Sequence, residues 1–83
     1  MQPYIYLGSV SRGEGGRIQA GSRIPLRVCN APDAAEVRWT LDGRAIYCNK
    51  DGYFEIVKPG VLKAEVLYED GSTDILIKKI VLE

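Results

Sequence analysis

The fold class is read most directly from eight residues, Val37-Arg38-Trp39-Thr40-Leu41-Asp42-Gly43-Arg44. Apolar side chains at Val37, Trp39 and Leu41 alternate with polar ones, which is the period of a β-strand with one buried face. The Asp-Gly pair that follows is typical of a two-residue hairpin turn, since both positions tolerate a positive φ. This stretch therefore predicts a strand that buries Trp39 and then reverses direction.

Turn signals recur on both sides of this strand, and no window of ten or more residues has a helical period of apolar residues. Further Asp-Gly pairs at 51–52 and 70–71, and a Pro-Gly pair at 59–60, predict three more breaks between apolar runs. Upstream, the sequence predicts a first strand over Tyr4–Val10, a Gly-rich loop over Ser11–Gly16, a strand that alternates at Ile24, Leu26 and Val28, and a turn over Asn30–Ala35.

The last apolar segment changes phase. Ile75 and Ile77 share one parity, whereas Ile80 and Leu82 share the other. A β-bulge at Lys78-Lys79 would return all four side chains to one face. With turns every eight to twelve residues or so, the chain is expected to form about seven strands.

The predicted fold class is all-β, an immunoglobulin-like two-sheet antiparallel β-sandwich that occupies residues 1–83 as a single domain. Inward parity selects the side chains expected around the buried Trp39, namely Leu26, Val28, Leu41, Leu62, Ala64 and Val66.

Composition excludes several classes of function. Eleven Lys plus Arg balance eleven Asp plus Glu, so no overall field steers the chain toward nucleic acid. No uncharged apolar run approaches the roughly 18 residues of a membrane span. The sequence has no His, which removes His-based acid-base catalysis and most catalytic zinc sites. We therefore expect no enzyme activity, no cofactor, no nucleic-acid partner and no membrane insertion.

The two cysteines, Cys29 and Cys48, allow one disulfide, which would stabilise the fold by about 3 kcal/mol if the geometry permitted it. Cys29 has outward parity on its strand, so it is not placed to bridge two sheets. Two unpaired, partly buried thiols are the favoured alternative.

Acidic residues gather at predicted turns, at Asp51, Glu69, Asp70 and Asp74. A calcium ion binds about six to eight oxygen ligands. Asp in an Asp-Gly turn is accounted for by turn hydrogen bonds, so we expect solvated turns and no metal site. A glycosidase pair of carboxylates is disfavoured too, because so small a domain rarely encloses a substrate cleft.

Three tyrosines are the candidate contact residues for a ligand or partner. Tyr4 and Tyr6 have parity opposite to Ile5 and are expected to project outward, and Tyr53 follows an Asp-Gly turn. A protein- or glycan-binding surface would align these rings on one face, whereas a spacer domain would scatter them.

Two segments carry a family resemblance. Val37–Arg44 resembles the third strand and following turn of immunoglobulin-like and PKD-like domains, in which a buried Trp packs between two sheets. Pro59–Val66 resembles their penultimate strand. Leu62 and Ala64 stand where antibody-type members have a corner Tyr and a Cys, so the family disulfide is absent and bacterial members are the better match.

A wider set of segments is similar to an accessory immunoglobulin-like domain at the C-terminal end of secreted Bacteroidetes peptidases of the IgA-peptidase type: Ala20–Val28, Asn30-Ala31, Trp39–Gly43, Asp51–Tyr53, Gly60–Ala64 and Tyr68–Ser72. The resemblance implies a non-catalytic module that orients or stabilises a neighbouring domain of the same chain. A carbohydrate- or protein-binding module is the alternative. No export signal precedes Tyr4, so we expect a segment of a longer exported protein, located outside the cell, in the periplasm or at the cell surface.

Overall fold

A computed structural model describes residues 2–8 and 16–83. The predicted all-β class is confirmed, since the described residues form strands and turns and contain no α-helix. The strands are β1 (Tyr4–Tyr6), β2 (Ser22–Ile24), β3 (Arg27–Cys29), β4 (Ala34–Leu41), β5 (Arg44–Ala45), β6 (Phe54–Ile56), β7 (Gly60–Tyr68) and β8 (Thr73–Ile80).

The longest strands form one antiparallel sheet in the order β5-β4-β7-β8. The predicted reversal at Asp42-Gly43 joins β4 to β5, and both residues have positive φ, 50° and 82°, as a type I′ turn requires. The predicted reversal at 70–71 joins β7 to β8. Trp39 lies directly opposite Ala64 in the register of β4 with β7.

The remaining strands form two small antiparallel pairs, β1 with β3 and β2 with β6. The sequence predicted one strand through Ile24, Leu26 and Val28, and that prediction is wrong. Leu26 has a φ of 49°, a left-handed conformation that no strand continues through, and Pro25 has no N–H to extend the ladder of β2. The chain therefore passes from one strand pair to the other at Pro25-Leu26.

The core lies between the four-stranded sheet and the two small pairs. Trp39 is 8% exposed, so its predicted burial is confirmed. Of its expected neighbours, Leu62 and Ala64 share its buried cluster, and Leu26, Val28 and Leu41 pack against that cluster. Val66 is buried but outside the cluster. The other buried members of the cluster are Leu7, Ile18, Ile24, Ile56 and Ile80.

The predicted bulge at Lys78-Lys79 is wrong. The register of β7 with β8 runs without a shift from Gly60↔Ile80 to Leu67↔Thr73. Leu76 and Ile80 face the core, whereas Ile75 and Ile77 face outward and are 48% and 66% exposed. The sheet is irregular elsewhere, between Ala34 and Glu36 on β4. Two large apolar side chains thus remain on the surface of an outer strand.

Other predicted boundaries shift by a few residues. The first strand was expected to continue to Val10, but β1 ends at Tyr6 and Gly8 turns the chain with a φ of 71°. The turn expected over Asn30–Ala35 is shorter, because β4 begins at Ala34. Residues 9–10 of the predicted first strand and residues 11–15 of the predicted Gly-rich loop lie outside the described residues.

The two central breaks are present. Pro59 lies between β6 and β7, and Gly60 begins β7. At Asp51-Gly52 the chain reverses around Asn49, whose side-chain oxygen accepts hydrogen bonds from the Asp51 and Tyr53 N–H groups at 2.9 and 3.2 Å. Tyr47 and Cys48, which precede this reversal, are not part of a strand.

Candidate functional site

The outer face of the β1–β3 pair carries the first two candidate tyrosines. Tyr4 and Tyr6 are exposed, as their parity predicted, and lie opposite Cys29 and Arg27 in the register. The Arg27 guanidinium lies over the Tyr6 ring, 5.7 Å from its centroid, in a cation–π contact. One face of the Tyr6 ring is therefore occupied by a cation.

The third tyrosine meets Tyr6 in a shallow cleft. Tyr6, Arg23, Arg27 and Tyr53 line this cleft together with Gly8 and Pro25, and its volume is about 240 Å³. We call it the Tyr–Arg cleft. Its residues come from β1, β2, β3 and the loop before β6, so the break at Pro25-Leu26 helps to bring them together.

Tyr4 lies outside the Tyr–Arg cleft, two residues before Tyr6 on the same face of β1. It lines a separate groove between β1 and β8. A hydrogen bond with the Cys29 side chain raises the pKa of the Tyr4 hydroxyl above its ordinary value. The Tyr4 phenol therefore remains neutral at neutral pH. Of the three candidate tyrosines, the structure brings Tyr6 and Tyr53 into one site.

The two arginines are the residues that sequence reasoning missed. Arg23 and Arg27 share a parity opposite to Ile24 and Val28, so alternation alone places both on the outer face of their strands. Outward parity alone does not identify a site, because most arginines that alternate with core residues are ordinary surface residues. Only the three-dimensional approach of Tyr53 makes them part of a site.

The cleft is positively charged. In the described part of the chain the ion pairs join Arg38 to Glu36 at 3.1 Å and to Glu65 at 3.8 Å, both within the four-stranded sheet. Glu55 is opposite Arg23 in the register of β2 with β6, but forms no ion pair with it at 4 Å or less. Among the described residues, no ion pair thus holds either guanidinium group of the cleft, and both line it.

The acidic turn between β7 and β8 lines a different depression, of about 330 Å³. Asp70 accepts hydrogen bonds from the Ser72 N–H at 2.8 Å and the Ser72 hydroxyl at 2.6 Å. The Tyr68 hydroxyl donates to Asp74 at 2.7 Å, which raises the pKa of Tyr68. The carboxylates of Asp70 and Asp74 thus make hydrogen bonds within the hairpin. Over residues 2–8 and 16–83, no group of three or more Cys, Asp or Glu side chains is placed to hold a metal ion.

The Asp70 turn gives a prediction for acid stability. The two Ser72 hydrogen bonds lower the pKa of Asp70 in the folded state, so its contribution to stability is present above the unfolded-state pKa. The contribution is lost as the pH falls through the lowered folded-state value. We expect the urea midpoint of the wild type to fall more between pH 5 and pH 2.5 than that of Asp70→Asn, which keeps an oxygen acceptor but does not titrate there. If the urea midpoint falls equally in the two proteins, the loss of acid stability does not come from Asp70.

Both cysteines are free thiols. Cys29 is half-buried and Cys48 is exposed, with the Cys48 thiol donating to the Pro25 carbonyl at 3.6 Å. The favoured alternative of two unpaired thiols therefore describes the structure, although Cys48 is more exposed than expected. This contact lies at the kink between β2 and β3.

The described residues contain no helix long and apolar enough to cross a membrane. No protein-family model, curated protein or solved structure matches this chain.

Proposed function

We propose that this chain is a non-catalytic accessory domain of immunoglobulin-like type that binds an acidic polypeptide segment in the Tyr–Arg cleft. The observation that carries the proposal is the meeting of Tyr6, Tyr53, Arg23 and Arg27 in one cleft. In a domain that acts only as a spacer, exposed tyrosines would be scattered over the surface. A binding surface requires aromatic side chains that lie together, as Tyr6 and Tyr53 do in this cleft.

The immunoglobulin-like assignment is supported by the arrangement of strands. The sheet β5-β4-β7-β8 contains the strand that carries Trp39, and the β1–β3 and β2–β6 pairs supply the opposite side of the core. This order agrees with a two-layer sandwich whose central Trp packs between the layers. The resemblance to accessory domains of secreted peptidases is the reason to propose an exported bacterial parent protein.

The chemistry of the cleft favours carboxylates. A guanidinium group donates two parallel hydrogen bonds to a carboxylate, and tyrosine adds apolar contact area together with a hydroxyl. A neutral sugar would need an open aromatic face on which to stack. One face of the Tyr6 ring is covered by Arg27, and the cleft holds two guanidinium groups, so an acidic segment fits better than a neutral glycan.

The size of the cleft indicates how the partner binds. Pockets that enclose a small molecule have volumes of roughly 300–1,000 Å³, whereas this cleft measures about 240 Å³ and is open to solvent. It fits a few side chains of an extended segment, on a neighbouring domain of the parent chain or on a separate protein. Binding of one such segment is therefore expected to be weak and to depend on salt.

The proposal is tested by titrating the 83-residue chain with an octaglutamate peptide and, in parallel, with octaglutamine, and following backbone amide shifts by NMR. Octaglutamate is expected to shift the amides of β1, β2 and β3, and 0.5 M NaCl is expected to reverse the shifts. Arg23→Ala and Arg27→Ala should each weaken binding about tenfold, because each removes hydrogen bonds to a charged group.

Arg44→Ala is the matched control, because Arg44 is an exposed arginine on β5 of the other sheet. It removes the same charge and should leave octaglutamate binding unchanged. If all three variants weaken binding equally, the interaction is nonspecific and the proposal fails. The proposal also fails if a neutral oligosaccharide binds in a manner abolished by Tyr4→Ala or Tyr6→Ala, since that outcome identifies a glycan-binding module.

A further inference from the structure

The outer edge of β8 is open within the described part of the chain. Over residues 2–8 and 16–83, β8 pairs with β7 on one side and with no strand on the other. Just beyond β8 this side of the chain is bonded to Ile18, whose N–H donates to the Val81 carbonyl at 2.8 Å, so the open edge is that of β8 itself. A groove of about 640 Å³ separates this edge from β1, lined by 3–8 and 75–78. An unpaired edge with exposed apolar side chains is a template for pairing with another strand.

Hydrogen bonds elsewhere in the sheet fix which backbone groups face this edge. The Val61 C=O accepts from the Asp42 N–H, on the β4 side of β7, whereas the Tyr68 N–H donates to Ser72 on the β8 side. In an antiparallel sheet the direction alternates from residue to residue. Leu62, Ala64 and Val66 therefore bond to β8. Within β8, the residues whose N–H and C=O groups point to the outer edge and pair with no strand of the described residues are Thr73, Ile75, Ile77 and Lys79.

We propose that β8 pairs antiparallel with the β8 of a second copy of this chain, with Leu76 at the two-fold axis. In this register Ile75 of one copy and Ile77 of the other exchange backbone hydrogen bonds, because the N–H and C=O groups of both residues point to the outer edge. The two four-stranded sheets become one sheet of eight strands. The partner is thus a second copy of the same chain, bound through a self-complementary edge.

Side chains on the outer face agree with this register. Ile75 and Ile77, 48% and 66% exposed in the single chain, meet their counterparts in the second copy as cross-strand pairs. Four isoleucines then form one apolar cluster that is shielded from water. The pairing thereby accounts for two large side chains that the fold itself leaves outside the core.

Charges on the inner face select the same register. Asp74 of each copy lies opposite Lys78 of the other, which gives two cross-strand ion pairs around the central Leu76. Sliding the strands by one two-residue step places Asp74 opposite Leu76 or Ile80 instead and loses both pairs. The groove beside β1 supplies space for these inner side chains.

The proposal is tested by sedimentation and light scattering on the 83-residue chain over a range from micromolar to about 1 mM, because one pair of edge strands forms a small interface. The wild-type mass is expected to rise with concentration from 9.2 kDa toward twice that value. Asp74→Lys and Lys78→Asp should each weaken the dimer at least about tenfold, since each places like charges opposite one another.

A mixture of the two single variants separates pairing from misfolding. In the mixed dimer, Lys at 74 faces Asp at 78 and Lys at 78 faces Asp at 74, so association is expected to return although neither variant associates alone. The double variant D74K/K78D should also associate with itself. Tyr68→Phe is the control, because it removes the hydroxyl bond to Asp74 and leaves both charges in place. It should dimerise as the wild type does.

Three results would overturn the proposal. The first is a wild type that stays monomeric at 1 mM, which leaves the β8 edge without a second copy as its partner. The second is a dimer that both charge reversals leave unchanged, since it must form through another surface. The third is a pair of single variants that fail to associate when mixed although each is folded by circular dichroism.

Discussion

Trp39→Ala is expected to lower the free energy of unfolding by about 3–5 kcal/mol, the loss typical of removing a buried aromatic side chain. Trp39 is 8% exposed, belongs to the main buried cluster and lies opposite Ala64, whose side chain is too small to fill the space left behind. A domain of this size has a total stability of about 5 kcal/mol. The variant should therefore be largely unfolded at room temperature.

The measurement is urea unfolding followed by far-UV circular dichroism, because Trp39 is the only tryptophan and its fluorescence is lost in the variant. Tyr47→Ala is the control. Tyr47 is 79% exposed, so this change should alter the stability by no more than about 0.5 kcal/mol. A Trp39→Ala protein that melts cooperatively within a few degrees of the wild type would show that Trp39 does not hold the core together.

The burial of Trp39 illustrates what local patterning can predict. Alternation over Val37–Leu41 and the adjacent Asp-Gly pair depend on neighbouring residues only, and both predictions are confirmed in β4 and its turn. The all-β class follows for the same reason, because turn chemistry recurs too often for helices to form. Patterns of this kind do not specify which strands pair.

The two incorrect predictions came from treating alternation as continuous. Ile24, Leu26 and Val28 alternate well, yet Leu26 adopts a left-handed conformation and divides the strand in two. On β8, the sequence was expected to bulge so that every isoleucine became buried. The ladder with β7 has eight regular pairs that a bulge would disrupt, and two isoleucines stay exposed instead.

The candidate site was predictable in part. Outward parity identified Tyr4 and Tyr6, because the direction of a side chain on a strand is a local property. The Tyr–Arg cleft requires residues 6, 23, 27 and 53 to meet, and those contacts depend on how β1, β2, β3 and the loop before β6 are assembled. No pattern along a single sequence contains that information.

Gly60→Ala is expected to lower the free energy of unfolding by about 1.5–3 kcal/mol, the range for a hydrogen bond to a charged group. The Asp42 carboxylate packs against Gly60 and accepts a hydrogen bond from the Val61 N–H at 2.8 Å, while the Asp42 N–H donates to the Val61 carbonyl at 3.0 Å. A Cβ atom at residue 60 would lie 2.6 Å from Asp42 Oδ2. The carboxylate must therefore move away, and its bond to Val61 is lost.

A double-mutant cycle shows whether this contact is the cause. Asp42→Ala removes the carboxylate, so Gly60→Ala has nothing to displace in that background and should cost about 1.5–3 kcal/mol less than in the wild type. The backbone cost of a Cβ atom at a φ of 159° remains in both backgrounds. Gly52→Ala is the control for replacing a glycine, because no atom lies within 4 Å of a Cβ built at Gly52, although its φ of 83° carries a backbone cost of its own. That cost should be the same with and without Asp42. If Gly60→Ala costs as much in the Asp42→Ala protein as in the wild type, the penalty comes from the backbone at residue 60, and the Asp42 carboxylate does not link the β4–β5 turn to the start of β7.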